Sequence, residues 1–243
     1  MTSSKNVPPS FSYYDLLNAC TQTGCPICRV GAHAVKRHLK SLFNEYVNDT
    51  EARDSILRSL GFCKEHVQLL LNTRIADALG ASIIYENIIK KILREFPRDP
   101  ASFPSNPKER ARTISKFISA SDGLGECVAC EQRETAFDRV IHDLSSALDQ
   151  EELQVALQGS DGLCLPHLSQ LFERVQKQED LNFLINLIRN KLETRQFEMS
   201  ELIRKNDHYF RSEGISQAEA LAWKNAMCTL SGVSISPTGD KHD

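Results

Sequence analysis

The sequence predicts an all-α protein, and three observations lead to that prediction. Apolar residues recur at the 3.6-residue spacing of amphipathic helices along most of the chain. Helix-capping and helix-ending residues bound those segments. Strand-like alternation of apolar and polar residues is almost absent. The chain is 41% hydrophobic and 25% charged, as in an ordinary globular protein, so its helices have enough apolar residues to bury a core.

The first strongly periodic segment follows the motif CPIC, which starts at Cys25. Its apolar face contains positions 35, 39, 42, 43 and 46. Pro26 lies in its first turn, where a missing N–H is not needed by the helix. A short second helix is predicted next, with Asp49 or Thr50 as its N-cap and Gly61 just beyond its end.

The later helices follow in the same way. One begins near Cys63, and the segment ADALGASIIYENIIKKILREF predicts a longer helix that ends before Pro97. The second half repeats this order, and its final long helix runs from about Glu179 past Lys205. A last helix opens at Ser216, where the letters SQAE form a capping box.

Two sets of cysteine and histidine residues are spaced almost identically in the two halves. The sets are Cys25, Cys28, Cys63 and His66, and Cys127, Cys130, Cys164 and His167. Corresponding members lie 102, 102, 101 and 101 residues apart. Gly61 and Gly162 each precede the third cysteine of their set by two residues. The pattern predicts a duplicated unit of about one hundred residues, longer than a solenoid repeat.

The duplication predicts the domain organisation. We expect a first metal-binding unit at 1–96, a proline-rich linker at 97–107 and a second unit at 108–211, followed by a C-terminal helix at 212–231 and a disordered tail at 232–243. The linker is indicated by four prolines in FPRDPASFPSNP. The tail lacks the apolar residues that a core requires.

Each set of four predicts a structural zinc site. Three thiolates and one imidazole form a standard tetrahedral zinc set, and ligands three residues apart at a helix start can point the same way. We therefore predict two zinc ions per chain, each held by the four ligands of its own repeat. Four protein ligands leave no position for water or substrate. An iron–sulfur cluster with one histidine ligand is the alternative, and mixed imidazole and thiolate ligation favours zinc.

The remaining reactive residues receive simpler interpretations. Cys20 and Cys228 have no counterpart in the other repeat and are interpreted as partly buried, inert thiols. His33, His38 and His142 are interpreted as surface or boundary histidines, because both ligand sets are already complete. No GxGxxG, Walker A, GxSxG or HExxH motif occurs. The sequence therefore predicts no catalytic residue and no further cofactor.

One helix face after CPIC is basic. It contains Arg29, His33, Lys36 and Lys40. Glu131 and Asp138 stand at the positions equivalent to Arg29 and Lys36 in the second repeat. The face is interpreted as a solvated surface, and docking of a charged partner is the sharper hypothesis. Nucleic-acid binding through Arg29–Lys40 has little support from a net charge of −3.

The sequence also predicts a cellular compartment. The start, MTSSKNVPPSFSYY, shows no apolar stretch behind a basic one, so no secretory signal is expected. No run of about 18 apolar residues predicts a membrane helix. We therefore expect a cytoplasmic protein without membrane contact. Eight cysteines in a reducing compartment indicate metal or thiol chemistry instead of disulfides.

Several stretches resemble an uncharacterised family. In the first half these are CPICR, FNEYVND, LRSLGFCKEH and ALGASIIYENII, and near the end AWKNAMCTLSG. Together they resemble a family of bacterial and archaeal proteins known only as a domain of unknown function, with paired CPxC and GFCxxH motifs. The resemblance covers most of residues 13–96 and the second half more thinly. It implies paired metal-type motifs on a helical scaffold and implies no activity.

Three functional hypotheses follow. The first is a non-catalytic binding or adaptor module that presents helix surfaces to a protein partner, because the reactive residues are all used as ligands. The second is a thiol redox sensor or oxidoreductase that uses Cys25 and Cys28, or Cys127 and Cys130, as dithiols. The third is nucleic-acid binding through the basic face, which would depend strongly on salt.

Overall fold

The computed structural model describes residues 11–96, 98–118 and 127–233. Over these ranges the chain forms eleven α-helices, three short 3-10 or π-helical segments and no strand. The predicted all-α class is therefore confirmed. No helix in the described part is long and apolar enough to cross a membrane. The predicted disordered tail lies outside the described residues from residue 234 onward.

The helices of the first half are the four predicted ones, in the predicted order, with one unpredicted helix before them and another after them. They are α1 (Phe11–Cys20), α2 (Pro26–Ser41), α3 (Thr50–Arg58), α4 (Lys64–Asn72), α5 (Ala78–Glu95) and α6 (Pro107–Ile118). A π-helical turn, Leu42–Tyr46, extends α2. The Asp49 side chain accepts a hydrogen bond from the Ala52 N–H at 2.8 Å, which confirms it as the N-cap of α3.

The second half contains the matching helices and one more. They are α7 (Val128–Ala147), α8 (Glu151–Gly159), α9 (Leu165–Phe172), α10 (Gln178–Lys205) and α11 (Gln217–Ser231). The helix order α7 to α10 is that of α2 to α5. The predicted capping box of the last helix is present, because Ser216 and Glu219 bond each other's backbone N–H groups.

The compact units differ from the predicted tandem division at the proline-rich linker. The first unit combines residues 1–31 with 136–243, and the second unit comprises residues 32–135. The boundaries therefore fall inside α2 and α7. The predicted linker at 97–107 contains a 3-10 turn and leads into α6 within the second unit.

The buried side chains explain this division. Near the start of α2, Ile27 is fully buried in the core of the first unit, together with Leu144 and Leu184. Later in α2, Leu39 is fully buried in the core of the second unit, with Ile84. A single helix thus supplies two separate cores, which the periodicity of its sequence does not reveal.

Candidate metal centres

The first centre lies in the first unit, where the starts of two helices converge. It consists of Cys25, Cys28, Cys164 and His167. Cys25 immediately precedes α2, and Cys28 lies in its first turn. Cys164 is the N-cap of α9, and His167 lies in that helix's first turn. Both pairs therefore lie at helix N-termini, where the helix dipole stabilises thiolate.

The ligand atoms of the first centre have tetrahedral spacing. The His167 Nδ1 atom lies 3.1, 3.3 and 3.7 Å from the sulfurs of Cys164, Cys28 and Cys25. The sulfurs of Cys28 and Cys164 are 3.8 Å apart. Around a tetrahedral zinc, the sulfur–sulfur edges would be about 3.8 Å and the sulfur–nitrogen edges about 3.5 Å. The four side chains could therefore hold one metal ion.

The second centre repeats this arrangement in the second unit. It consists of Cys63, His66, Cys127 and Cys130. Cys63 is the N-cap of α4, and Cys127 immediately precedes α7. The His66 Nδ1 atom lies 3.1, 3.6 and 3.5 Å from the sulfurs of Cys63, Cys127 and Cys130. The sulfurs of Cys63 and Cys130 are 3.6 Å apart, again as a tetrahedral ion requires.

The structure corrects the predicted pairing of the ligands. The Cys25–Cys28 pair meets Cys164 and His167 of the other half of the chain, instead of Cys63 and His66. Likewise, the Cys127–Cys130 pair meets Cys63 and His66, instead of Cys164 and His167. Each centre therefore combines two cysteines from one half of the chain with a cysteine and a histidine from the other half. Matched spacing in the two halves cannot distinguish the two pairings, because each C-x-x-C fits either C-x-x-H.

The two glycines that precede the third cysteine have a shared conformational role. Gly61 has a φ of +104° and Gly162 a φ of +84°, backbone angles that residues with a side chain rarely adopt. In each turn a buried serine lies two residues earlier. The Ser59 hydroxyl donates to the Gly61 carbonyl at 2.8 Å, and the Gly162 N–H donates to the Ser160 hydroxyl at 3.0 Å. These turns end α3 and α8 and lead the chain to the ligand-bearing N-cap.

Contacts outside the ligand set also join the two ligand-bearing turns of the first centre. The Gly24 N–H donates to the Asp161 carboxylate at 2.6 Å, so the turn before Cys25 is tied to the turn before Cys164. The Cys28 sulfur lies 3.4 Å from the Gly232 carbonyl oxygen, just beyond the end of α11. Sequence reasoning missed both Asp161 and Gly232, because these contacts span more than one hundred residues.

An ion pair joins the ligand-bearing helices of the second centre. The Arg133 guanidinium lies 2.9 Å from both carboxylate oxygens of Glu65. Glu65 lies in the first turn of α4, and Arg133 follows Cys130 by one turn of α7. Neither residue was singled out from the sequence, because exposed charges on helices give no specific signal.

The pKa values of the ligands in the first centre are shifted in opposite directions. Burial raises the pKa of Cys25, but hydrogen bonds with Cys164, Cys28 and His167 outweigh it and hold this pKa well below its ordinary value. The pKa of Cys28 is raised, because it bonds Cys164 and Cys25 and is buried. Burial lowers the pKa of His167, yet its bonds with Cys164 and Cys25 raise it to about 9. A divalent cation would relieve the repulsion among the three thiolates.

In the second centre the pKa values of two cysteines are likewise shifted in opposite directions. Burial raises the pKa of Cys127, but its bonds with His66 and with backbone groups lower it to about 6. Burial and the neighbouring charges of Cys127 and Cys63 raise the pKa of Cys130 to about 12. Cys63 and Cys130 are half-buried, whereas Cys28, Cys164 and His167 of the first centre are buried. The second centre is therefore the more accessible of the two.

The remaining predicted residues lie outside both centres. Cys20 is buried, and burial together with Cys25 raises its pKa to about 11. Cys228 is half-buried, which agrees with its interpretation as a partly buried thiol. Among the described residues, His33, His38 and His142 belong to neither cluster.

The basic face is smaller than predicted. Arg29 is 8% exposed, and its guanidinium donates to the Thr23 carbonyl at 2.6 Å and to the Thr23 hydroxyl at 3.0 Å. It therefore stabilises the turn before Cys25 instead of contributing to a surface. Lys36 and Lys40 are exposed. The hypothesis of a four-residue basic surface is wrong at Arg29, and nucleic-acid binding gains no support from the geometry.

Comparison with known proteins identifies a family but no function. A model of a family of unknown function (DUF6062) matches residues 14–235. No curated protein and no solved structure matches the chain significantly. The family match spans most of the chain, including both centres and all eight candidate ligands. The chain therefore belongs to this family of unknown function, as its quoted motifs suggested.

Proposed function

We propose that the protein is a zinc-binding helical module with two structural Cys₃His sites, which serves as a non-catalytic binding or adaptor protein. The observation that carries this proposal is the pair of closed ligand sets. In each, the four ligand atoms, one from each side chain, lie within 4.8 Å of one another, and their spacing fits a tetrahedral ion. An ion held in this way has no position open for substrate.

The donor set supports zinc as the metal. Thiolate and imidazole together suit zinc, which readily takes four such ligands in a tetrahedron. Two ions per chain would each join helices from different halves of the sequence. The binding energy of a structural zinc, about 10–16 kcal/mol in small domains, would then stabilise the fold. Eight cysteines, none of them in a disulfide, are consistent with the cytoplasm, which we propose as the compartment.

An adaptor needs a surface held in a fixed position, and α11 offers one. Trp223, Met227 and Leu230 follow one another at helical spacing and are 48%, 61% and 60% exposed. Exposed apolar side chains of this size suit contact with a protein partner. The first centre contacts the end of this helix through the carbonyl of Gly232. A metal bound there would hold the helix in place.

The test is elemental analysis of protein purified without chelator or a metal-affinity tag, together with its visible spectrum. About two zinc ions per chain and no colour are expected. Brown, iron-containing protein would contradict the zinc assignment and favour cluster chemistry. Turnover of a thiol or peroxide substrate at an ordinary enzyme rate would contradict the adaptor role.

Redox sensing is the second candidate function, and the exposure of the second centre favours it there. The sulfurs of Cys63 and Cys130 are half-buried and 3.6 Å apart. A peroxide could oxidise this pair: the O–O bond breaks, one disulfide forms, and the two electrons and two protons convert hydrogen peroxide to two waters. Loss of two thiolate ligands would release the metal.

The two functions differ in their response to peroxide. A Cys20→Ser/Cys228→Ser variant leaves all eight ligands in place and removes the other thiols. Under limited hydrogen peroxide, this redox proposal predicts release of about one zinc per chain and a Cys63–Cys130 disulfide. The sequence alone had instead suggested a disulfide within a C-x-x-C pair, Cys25–Cys28 or Cys127–Cys130. Zinc release is read with a chromogenic chelator, and the disulfide by peptide mass spectrometry. Retention of both ions would exclude the redox function and leave the adaptor function standing.

A further inference from the structure

A groove lies between α3 and α5 in the second unit, apart from the residues of the metal centre. It encloses about 420 Å³, a size found among small-molecule pockets. The apolar part of its lining is formed by Leu57, Ile84 and Ile88. The polar part is formed by Thr50, Arg53, Asp54, Asn87, Lys91 and Arg94. The groove therefore combines an aliphatic wall with three cationic side chains and one carboxylate.

The two arginines of this groove are not engaged by the protein. Within the described ranges, neither the Arg53 nor the Arg94 guanidinium has a hydrogen-bond or ion-pair partner. Lys91 differs, because its Nζ donates to the Leu57 carbonyl at 3.2 Å and so bridges α5 to α3. Two guanidiniums beside an apolar surface leave several N–H donors available to an oxyanion.

The second half of the chain contains an equivalent groove with different chemistry. It lies between α8 and α10 and encloses about 360 Å³. Its Lys191 donates to the Gln158 carbonyl at 2.7 Å, as Lys91 does to the carbonyl of Leu57. At the positions equivalent to Arg53 and Arg94, offset by 101 and 100 residues, stand Gln154 and Thr194. The bridging lysine is thus common to both grooves.

The two grooves share a lysine bridge but differ in their arginines. The lysine bridge occurs in both grooves, so it is explained by the packing of the short helix against the long one. The two arginines occur only in the first groove, and no hydrogen bond or ion pair to another described residue explains their guanidinium groups. The lining carries a net positive charge, because the single carboxylate of Asp54 is outnumbered by the cationic groups of Arg53, Lys91 and Arg94.

We propose that the groove between α3 and α5 binds a small amphiphilic oxyanion. Its phosphate or carboxylate head pairs with Arg53 and Arg94, and its apolar body lies over Leu57, Ile84 and Ile88. Guanidinium groups match both heads, because they can donate two parallel N–H bonds to an oxyanion. The site is independent of the metal chemistry and adds a ligand class to the proposed function.

The proposal is tested by calorimetric titration of the metal-loaded full chain with hexyl phosphate. Hexanoate, inorganic phosphate and hexanol are titrated in parallel. We expect hexyl phosphate, hexanoate or both to bind, and to bind more tightly than inorganic phosphate or hexanol. The stronger of the two amphiphiles identifies the head group. Equal binding of inorganic phosphate, or no binding of either amphiphile at millimolar concentration, would overturn the proposal.

Matched variants locate the site. Arg53→Gln/Arg94→Thr introduces the residues found at the equivalent positions of the second half, Gln154 and Thr194, and should weaken binding at least about tenfold. Arg110→Gln/Arg112→Gln removes the same charge from exposed positions of α6 and should leave binding unchanged. An equal loss in both variants would show a general charge effect and overturn the proposal. Zinc content, measured on every sample, tests the proposed metal function separately.

Discussion

Gly31 is a residue whose small size determines how the first centre is packed. It lies in α2, one turn after Cys28, and a Cβ there would lie 2.8 Å from Cζ of the Phe137 ring. The same ring meets the His167 imidazole edge to face, with centroids 4.4 Å apart and planes at 69°. Because only glycine admits Phe137 here, Gly31 indirectly sets the orientation of a candidate ligand.

We predict that Gly31→Ala weakens metal binding at the first centre and lowers the free energy of unfolding by about 1–3 kcal/mol. The added methyl displaces Phe137, which then no longer supports the imidazole of His167. The measurement is zinc release to a chromogenic chelator, where one of the two proposed zinc ions should leave faster than in the unmodified chain.

Gly159→Ala is the matched control, because a Cβ at Gly159 meets no atom within 4 Å. This variant should release zinc at the unmodified rate and be no less stable. If Gly31→Ala behaved in the same way as the control, the packing of Phe137 against His167 would not matter to the centre.

At the scale of elements, α11 is held at both ends. Its capping box, Ser216 with Glu219, satisfies N–H groups at its start. At its end, Gly232 adopts the left-handed conformation, φ +74°, which closes the helix beside the Cys28 sulfur. Between the ends, Arg195 of α10 donates to the Asn225 carbonyl at 2.7 Å and to the Thr229 hydroxyl. The helix is therefore docked by polar contacts as well as by the buried side chain of Ala222.

We predict that Ser216→Ala lowers the free energy of unfolding by about 0.5–2 kcal/mol, because the N–H of Glu219 loses its side-chain acceptor. Urea unfolding, followed by the fluorescence of the single tryptophan, Trp223 on α11, gives the measurement. Ser200→Ala, at an exposed position inside α10, removes a hydroxyl that caps nothing and should leave stability unchanged or slightly higher. Equal loss in both variants would argue against the cap.

At the scale of the whole molecule, the ligands of the two halves are exchanged. The C-x-x-C of each half meets the C-x-x-H of the other, so each centre closes a loop of more than sixty residues. A metal ion in either centre would therefore restrict the unfolded chain much as a long-range cross-link does. This arrangement differs from two tandem fingers, in which each ion would stabilise only its own repeat.

Paired ligand substitutions distinguish the exchanged arrangement from the tandem one. Cys28→Ala/Cys164→Ala removes two ligands of the first centre, so the chain should retain about one zinc. Cys28→Ala/Cys63→Ala damages both centres, so the chain should retain little or none. The measurement is zinc content per chain after gel filtration. The tandem arrangement gives the opposite result for the two variants.

The sequence by itself determined the helical class, the order of α2 to α5 and of α7 to α11, and the eight candidate ligands. It did not predict α1 or α6. Each of the predicted features depends on local information: the 3.6-residue period, capping residues such as Asp49 and Ser216, and C-x-x-C or C-x-x-H spacing at helix starts. Gly61 and Gly162 were also visible, because a left-handed turn requires glycine at a fixed place before the cysteine.

Only the tertiary structure decided which ligands meet and how the chain divides into units. The two halves have nearly the same spacing, so their local patterns are compatible with either pairing. The choice depends on which cores bury Ile27 and Leu39, two residues of one helix that pack in different units. The contacts of Gly232 and Asp161 with the first centre likewise arise from distant segments brought together by folding, as does the groove that Arg53 and Arg94 share.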